Sequence, residues 1–162
     1  MQRKSAAWVD VGSSYVLSDI LAAYLLAQLE CREQVQQTRA AIFRRYAESL
    51  ADLEQAGRLR LPIVPEECDL AYHLFYLLLP SLEERDALLQ HLKEQSILAV
   101  FHYVPLHLSP MGRHFGYTEK DCPVTQDVSQ RLVRLPFYND LTETDQTRVI
   151  DQVRAFFKSG AT

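Results

Sequence analysis

Ala71-Tyr72-His73-Leu74-Phe75-Tyr76-Leu77-Leu78-Leu79-Pro80-Ser81-Leu82-Glu83-Glu84 joins two kinds of local structure within fourteen positions. The apolar and aromatic run from Ala71 to Leu79 is too short for a helix of ordinary length and is closed by Pro80, which suits a buried strand. Ser81 followed by Glu84 forms the signature of a helix start, because a serine hydroxyl and a carboxylate can satisfy free amide donors of the first turn. Leu82, Leu88, Leu89 and Leu92 then repeat at helical spacing, so a helix is expected to about Gln95 with these residues facing inward.

Outward from this unit the pattern repeats. Ile97 to Tyr103 reads as a second strand and Leu132 to Leu135 as a third. A short helix is expected near Pro123, with Asp121 upstream as its cap, and Thr142 caps a final amphipathic helix through Ala155 or Phe157. Leu59 to Pro65 reads as an extended linker, bounded by Pro62 and Pro65. Pro105, Pro110, Gly112 and Gly116 make the stretch after the second strand a long loop, a common place for function.

Upstream, Trp8-Val9-Asp10-Val11-Gly12-Ser13-Ser14-Tyr15-Val16-Leu17-Ser18-Asp19 is a flexible polar turn running into a capped helix. Ser18 is the N-cap and Asp19 meets the positive end of the helix dipole. From Ser18 to about Ala56 there is no Pro or Gly, and apolar residues recur at Leu21, Tyr24, Leu25, Cys31, Val35, Ile42, Phe43, Tyr46, Leu50 and Leu53. One long helix is expected, kinked if bent at all, ending at Gly57. The whole implies an α+β domain: a long N-terminal helix and a small, three-stranded sheet covered by helices, on one face.

A chain of 162 residues with 48% hydrophobic content can build one domain with a real core. Its net charge of −4 offers no basic surface for a nucleic-acid backbone. The apolar runs Leu21 to Leu29 and Leu74 to Leu79 fall well short of the ~20 residues that cross a bilayer, and the N-terminus does not read as a signal peptide. A cytoplasmic protein with no membrane partner is expected. Cys31, Cys68 and Cys122 are odd in number and widely spaced, which favours reduced thiols over disulfides or zinc. His73, His91, His102, His107 and His114 lack ligand spacing, so no metal is expected. No G-x-S-x-G elbow supports a hydrolase.

Four stretches carry a resemblance: the turn Gly12-Ser13-Ser14-Tyr15 with Ser18-Asp19, Ala71 to Tyr76, Val100-Phe101-His102-Tyr103-Val104-Pro105-Leu106-His107, and Ser129 to Pro136. In this order they resemble the pyridoxal-phosphate-dependent sugar aminotransferases of the DegT/DnrJ/StrS family. The resemblance covers nearly the whole chain and implies the small C-terminal domain of a fold-type-I aminotransferase, with the large cofactor-lysine domain absent from residues 1–162. It further implies pyridoxal phosphate as cofactor, glutamate as amino donor, a dTDP-4-keto-6-deoxyhexose as substrate and a homodimer with shared sites. The expected partner of this chain is a large aminotransferase domain or an intact subunit. A non-catalytic dimerisation or binding module is the alternative.

The resemblance places Ser14 at a position whose polar side chain reaches the cofactor phosphate of the neighbouring subunit; many relatives have Asn there. On residue chemistry alone Ser14 is turn chemistry. Tyr103 and His107 match the substrate-side wall, where a phenol and an imidazole around Pro105 could stack on a sugar and bond its hydroxyls. Equally, Tyr103 could end a core strand and His107 could satisfy a local carbonyl. His73 and His102 read as core or interface histidines, and Arg134 as a member of a structural ion pair rather than an anion receptor. Lys4, Lys93, Lys120 and Lys158 stand in exposed contexts, none in the family's S-x-H-x-T/N-K setting, so no catalytic residue is assigned and the chain alone is expected not to transaminate.

Overall fold

The computed structural model describes residues 16–158 and Gly160. The chain divides into two compact units, Met1–Glu33 and Gln34–Thr162.

In the first unit, α1 (Asp19–Glu30) begins where the Ser18 hydroxyl oxygen accepts from the Leu21 N–H at 3.3 Å, with Asp19 in the first turn. The single long helix expected from Ser18 to Ala56 is instead interrupted. At Cys31 the backbone leaves helical geometry (φ −87°, ψ 3°), and α2 (Arg32–Gln55) resumes after it. The break falls where an all-round apolar run gives way to an amphipathic one. None of the residues of α1 is buried, although Ile20, Leu21, Tyr24, Leu25, Leu26 and Leu29 are among them.

The second unit holds the core. Helix α2 buries Ala40, Ile42, Phe43, Tyr46 and Leu50, at the three-to-four spacing of one helical face. Gly57 ends it in the left-handed conformation (φ 69°), which lets the Arg58 N–H bond the Leu53 carbonyl at 2.9 Å. The segment after it is more than a linker. Arg60 exchanges two 2.9 Å backbone hydrogen bonds with Leu78, and Leu59 and Leu61 are buried, so this stretch covers the sheet edge.

The sheet consists of β1 (Tyr76–Leu78), β2 (Val100–Phe101) and β3 (Leu132–Arg134), all antiparallel in the order β1-β3-β2. The expected strands were longer. Beyond β3 only single backbone bonds continue the pairing with β1, from the Leu79 N–H to the Arg131 carbonyl at 3.0 Å and from the Leu135 N–H to the Phe75 carbonyl at 3.1 Å. At Tyr72 the backbone also turns through a positive φ of 45°, which ends the extended run toward Ala71. His73 and His102 therefore lie outside the strands and are exposed, not members of the core.

Leu77 pairs with Val133, and both are fully buried on the face that meets the helices. Helix α3 (Leu82–Glu94) starts at Ser81, whose hydroxyl oxygen accepts from the Glu84 N–H at 3.2 Å, and sends Leu88 and Leu92 into this core. Beside it α6 (Glu143–Lys158) contributes Val149, Ile150, Val153 and Phe156. The cap of α6 is the expected Thr142, which accepts from the Asp145 N–H at 3.1 Å. Phe75 fastens the layers, with ring centroids 5.0 Å from both Phe43 and Tyr46.

The loop after β2 carries a 3-10 turn (Leu106–Leu108), the short helix α4 (Pro110–His114), and α5 (Pro123–Arg131). Asp121 does not cap α5. Its carboxylate accepts from the Thr118 N–H at 2.6 Å and from the Thr118 hydroxyl at 2.8 Å, while Cys122 occupies the cap position without a side-chain bond. No helix among the described residues is long and apolar enough to cross a membrane.

Candidate functional site

The sheet delivers β2 and β3 to one end, and the loop leaving β2 holds the residues singled out in the sequence. Tyr103 stands just beyond the strand with φ 42°, a conformation that costs a non-glycine residue about 1–3 kcal/mol and marks many functional positions. It does not close a core strand: its side chain is exposed, edge-on to His102 at 5.5 Å, and its ring lies 5.5 Å from the guanidinium of Arg134.

Arg134 departs from the structural ion pair expected of it. Among the described residues no carboxylate lies within ion-pair distance, and its Nε is buried without a hydrogen-bond partner. Tyr103 also borders a cavity of about 400 Å³ with Arg85, Phe101, Gln126, Ser129 and Gln130 on its walls. Arg85 lies 5.8 Å from the Phe101 ring centroid and 2.8 Å from the Asp86 carboxylate. Asp86, on the same wall, already answers the Arg85 charge, so the rings with the amide and hydroxyl groups around this hollow suit a hydroxylated ligand.

His107 is buried in the 3-10 turn, and its Nε2 has no hydrogen-bond partner, so it does not satisfy a local carbonyl through that nitrogen. Its cavity, about 590 Å³, is a separate one, walled by Leu106, Met111, Phe115, Tyr117 and Cys122. Gly112 packs against the turn so closely that a Cβ there would stand 2.2 Å from the Leu106 carbonyl oxygen. Asp121 lies near enough to sense the imidazole. Its carboxyl is held below the usual range mainly by the two Thr118 hydrogen bonds and slightly by His107. Tyr103 and His107 are thus four residues apart in sequence yet border different hollows.

Ser14 lies outside the described residues, as does Lys4. Lys93, Lys120 and Lys158 are all exposed, whereas a Schiff-base lysine is usually desolvated or beside another cation. The described residues therefore do not by themselves fit a covalently held aldehyde cofactor. The three cysteines are free, Cys31 and Cys68 exposed and Cys122 half-buried, and no metal-holding group of three or more ligands occurs among the described residues.

Sequence reasoning missed Arg85, Gln126 and the pairing of Tyr103 with Arg134. The last has no local signal, because 31 positions separate the two residues and only strand register together with the path of the chain leaving β2 brings them together. The alternation Leu132-Val133-Arg134 did carry a hint, since it places a charge on the central strand of a sheet.

Comparison with known proteins fits this architecture. Residues 1–154 match the model of the DegT/DnrJ/EryC1/StrS aminotransferase family. An uncharacterized protein of Methanocaldococcus jannaschii is 31% identical over 151 residues, covering 90% of this chain and 38% of its own length. The dTDP-3-amino-3,4,6-trideoxy-alpha-D-glucose transaminase of Micromonospora megalomicea subsp. nigra is 28% identical over 88% of this chain and 38% of its own. The crystal structure of S. venezuelae DesV in complex with a ketimine intermediate superposes with a TM-score of 0.83 at 29% identity, covering 96% of this chain and 40% of that one. The chain spans 31 to 38% of the length of these curated relatives and another. On the match of its residues 1–154, the chain belongs to the DegT/DnrJ/EryC1/StrS aminotransferase family.

Proposed function

We propose that this chain is the small-domain part of a pyridoxal-phosphate-dependent sugar-nucleotide aminotransferase, which moves an amino group from glutamate to a dTDP-4-keto-6-deoxyhexose. The family match across residues 1–154 carries this reading. Asp10-Val11-Gly12-Ser13-Ser14-Tyr15 and Phe101-His102-Tyr103 resemble the transaminase that makes dTDP-4-amino-4,6-dideoxygalactose for enterobacterial common antigen, and on that resemblance we propose this substrate, used in the cytoplasm.

The cofactor supplies an electron sink for transamination when bound as a Schiff base. The lysine for it comes from a large domain or an intact subunit, since the described lysines are all exposed. This chain contributes Ser14 toward the cofactor phosphate of a neighbouring subunit, and Tyr103 and His107 to the substrate wall. The test mixes the chain with a separately produced large domain. Cofactor absorbance and turnover are expected from the mixture and not from the chain alone; a well-folded mixture showing neither overturns the split-enzyme reading.

A second reading, a non-catalytic dimerisation module, is favoured by α1, whose apolar residues surround the helix with none buried. A helix apolar all round belongs inside an assembly. In that reading the chain binds intact aminotransferase subunits and gives no turnover with a large domain. Both readings expect no borohydride-trapped lysine adduct when pyridoxal phosphate is added to the chain alone.

A further inference from the structure

Arg134 sits at the centre of the sheet with its charge unanswered. On the central strand β3, Val133 points to the helical core, so Arg134 points to the opposite face, where its register partners are Tyr76 on β1 and Val100 on β2. No other charged residue lies on the three strands. The other strand residues on that face, Leu78 and Leu132, are apolar, and Arg60, bridged to Leu78 at the sheet edge, adds a second cation rather than a counter-charge.

Other arginines of the chain show what a satisfied guanidinium looks like here. Arg154 bonds both carboxylate oxygens of Asp52 at 2.8 and 2.6 Å, and Arg131 bonds Asp127 with its Nε at 3.0 Å. Arg134 has no such partner among the described residues, and its Nε is shut off from solvent without a hydrogen bond. A buried, unpaired donor on a permanent cation is costly unless something supplies an acceptor. The neighbouring group is the Tyr103 ring, 5.5 Å away, held there by a residue that accepts a positive φ of 42°. An aromatic face steadies the cation and restricts its plane while leaving its donors free for an anion.

We infer that Arg134, positioned by Tyr103, is the receptor for an oxyanion carried by a ligand, a carboxylate or a phosphate group. The guanidinium offers paired donors in a planar fork, which matches two oxygens of either group. This holds whether or not the chain takes part in transamination.

The test follows the arginine Nε–H resonances of the full 162-residue chain by NMR during titration with glutarate and, separately, with inorganic pyrophosphate. A saturable shift of the Arg134 signal is expected with one of them; glutarate alone identifies a carboxylate site and pyrophosphate alone a phosphate site. Arg134→Lys is expected to bind about tenfold more weakly, the size of one lost charge-assisted hydrogen bond. Tyr103→Leu is expected to weaken binding about two- to fivefold by removing the aromatic contact. Should Arg134→Gln fail to fold, the unaltered chain and Arg134→Lys still decide the matter. No saturable shift with either anion, or a well-folded Arg134→Gln that still binds with unchanged affinity, overturns the inference.

Discussion

The side-chain amide of Gln146, almost wholly buried on α6, donates to the backbone carbonyl of Ile42 on α2 at 2.7 Å. One polar contact thereby joins helices 104 positions apart inside an apolar core. Gln146→Leu removes the donor and leaves the Ile42 carbonyl one bond short. A loss of about 1–2 kcal/mol is expected, read as a lower urea midpoint with an unchanged slope. A variant as stable as the parent would show that the contact contributes nothing net.

Gly112 and the Leu106 carbonyl make a second such contact. Any Cβ at Gly112 meets backbone at 2.2 Å from Leu106 and 2.6 Å from His107, and neither backbone group can rotate aside as a side chain would. Gly112→Ala is expected to cost about 1–3 kcal/mol through overpacking, with faster amide exchange across residues 105–117. If exchange rises uniformly over the whole chain, the strain is not local to this turn.

Stability should fall at acid pH. Arg154 holds the Asp52 carboxyl below the usual range chiefly by hydrogen bonding, and Arg131 does the same for Asp127. A depressed folded-state value means that the stabilisation is fully present above the unfolded carboxyl value of about 4 and is lost as pH falls through the lower folded values. Both carboxylates lie in solvent, so the effect is modest and weakens with salt. Asp52→Asn and Asp127→Asn should each flatten the acid limb of a urea-midpoint profile, and an unaltered limb in the double variant would refute this origin.

Helix α1 should tolerate charge. Since none of its residues is buried, Leu25→Lys or Leu29→Lys is expected to change the urea midpoint by no more than about 0.5 kcal/mol equivalent. The same substitutions should reduce self-association in sedimentation experiments, because exposed apolar patches drive it. A destabilisation of several kcal/mol would show that α1 is packed in solution.

Local chemistry made much of this fold legible. Ser18, Ser81 and Thr142 all cap helices at the positions their sequence context indicates, because a cap depends on residues three positions apart. Gly57 closes α2 for a similar reason, through its own backbone freedom. The errors lie where a competing partner decides, near or far in the chain. Ala71 to Tyr76 carries strand chemistry, but the backbone turns at Tyr72 through a positive φ of 45° and ends the extended run there. Asp121 was free to cap α5 by sequence position, yet two bonds to Thr118 satisfy it first.

By itself, the sequence determined the caps at Ser18, Ser81 and Thr142, the stop at Gly57, the α+β alternation, the helical covering of one sheet face and the membership in an aminotransferase family. Each of these rests on short spacings or on motifs that survive as strings of residues. Only the tertiary structure decided that Tyr103 meets Arg134 and that His107 borders a different cavity. Register between strands and the path of a loop are settled by packing of residues far apart in the chain, so neither the buried, unbonded Nε of a half-buried arginine nor the ring beside it can be read from spacing.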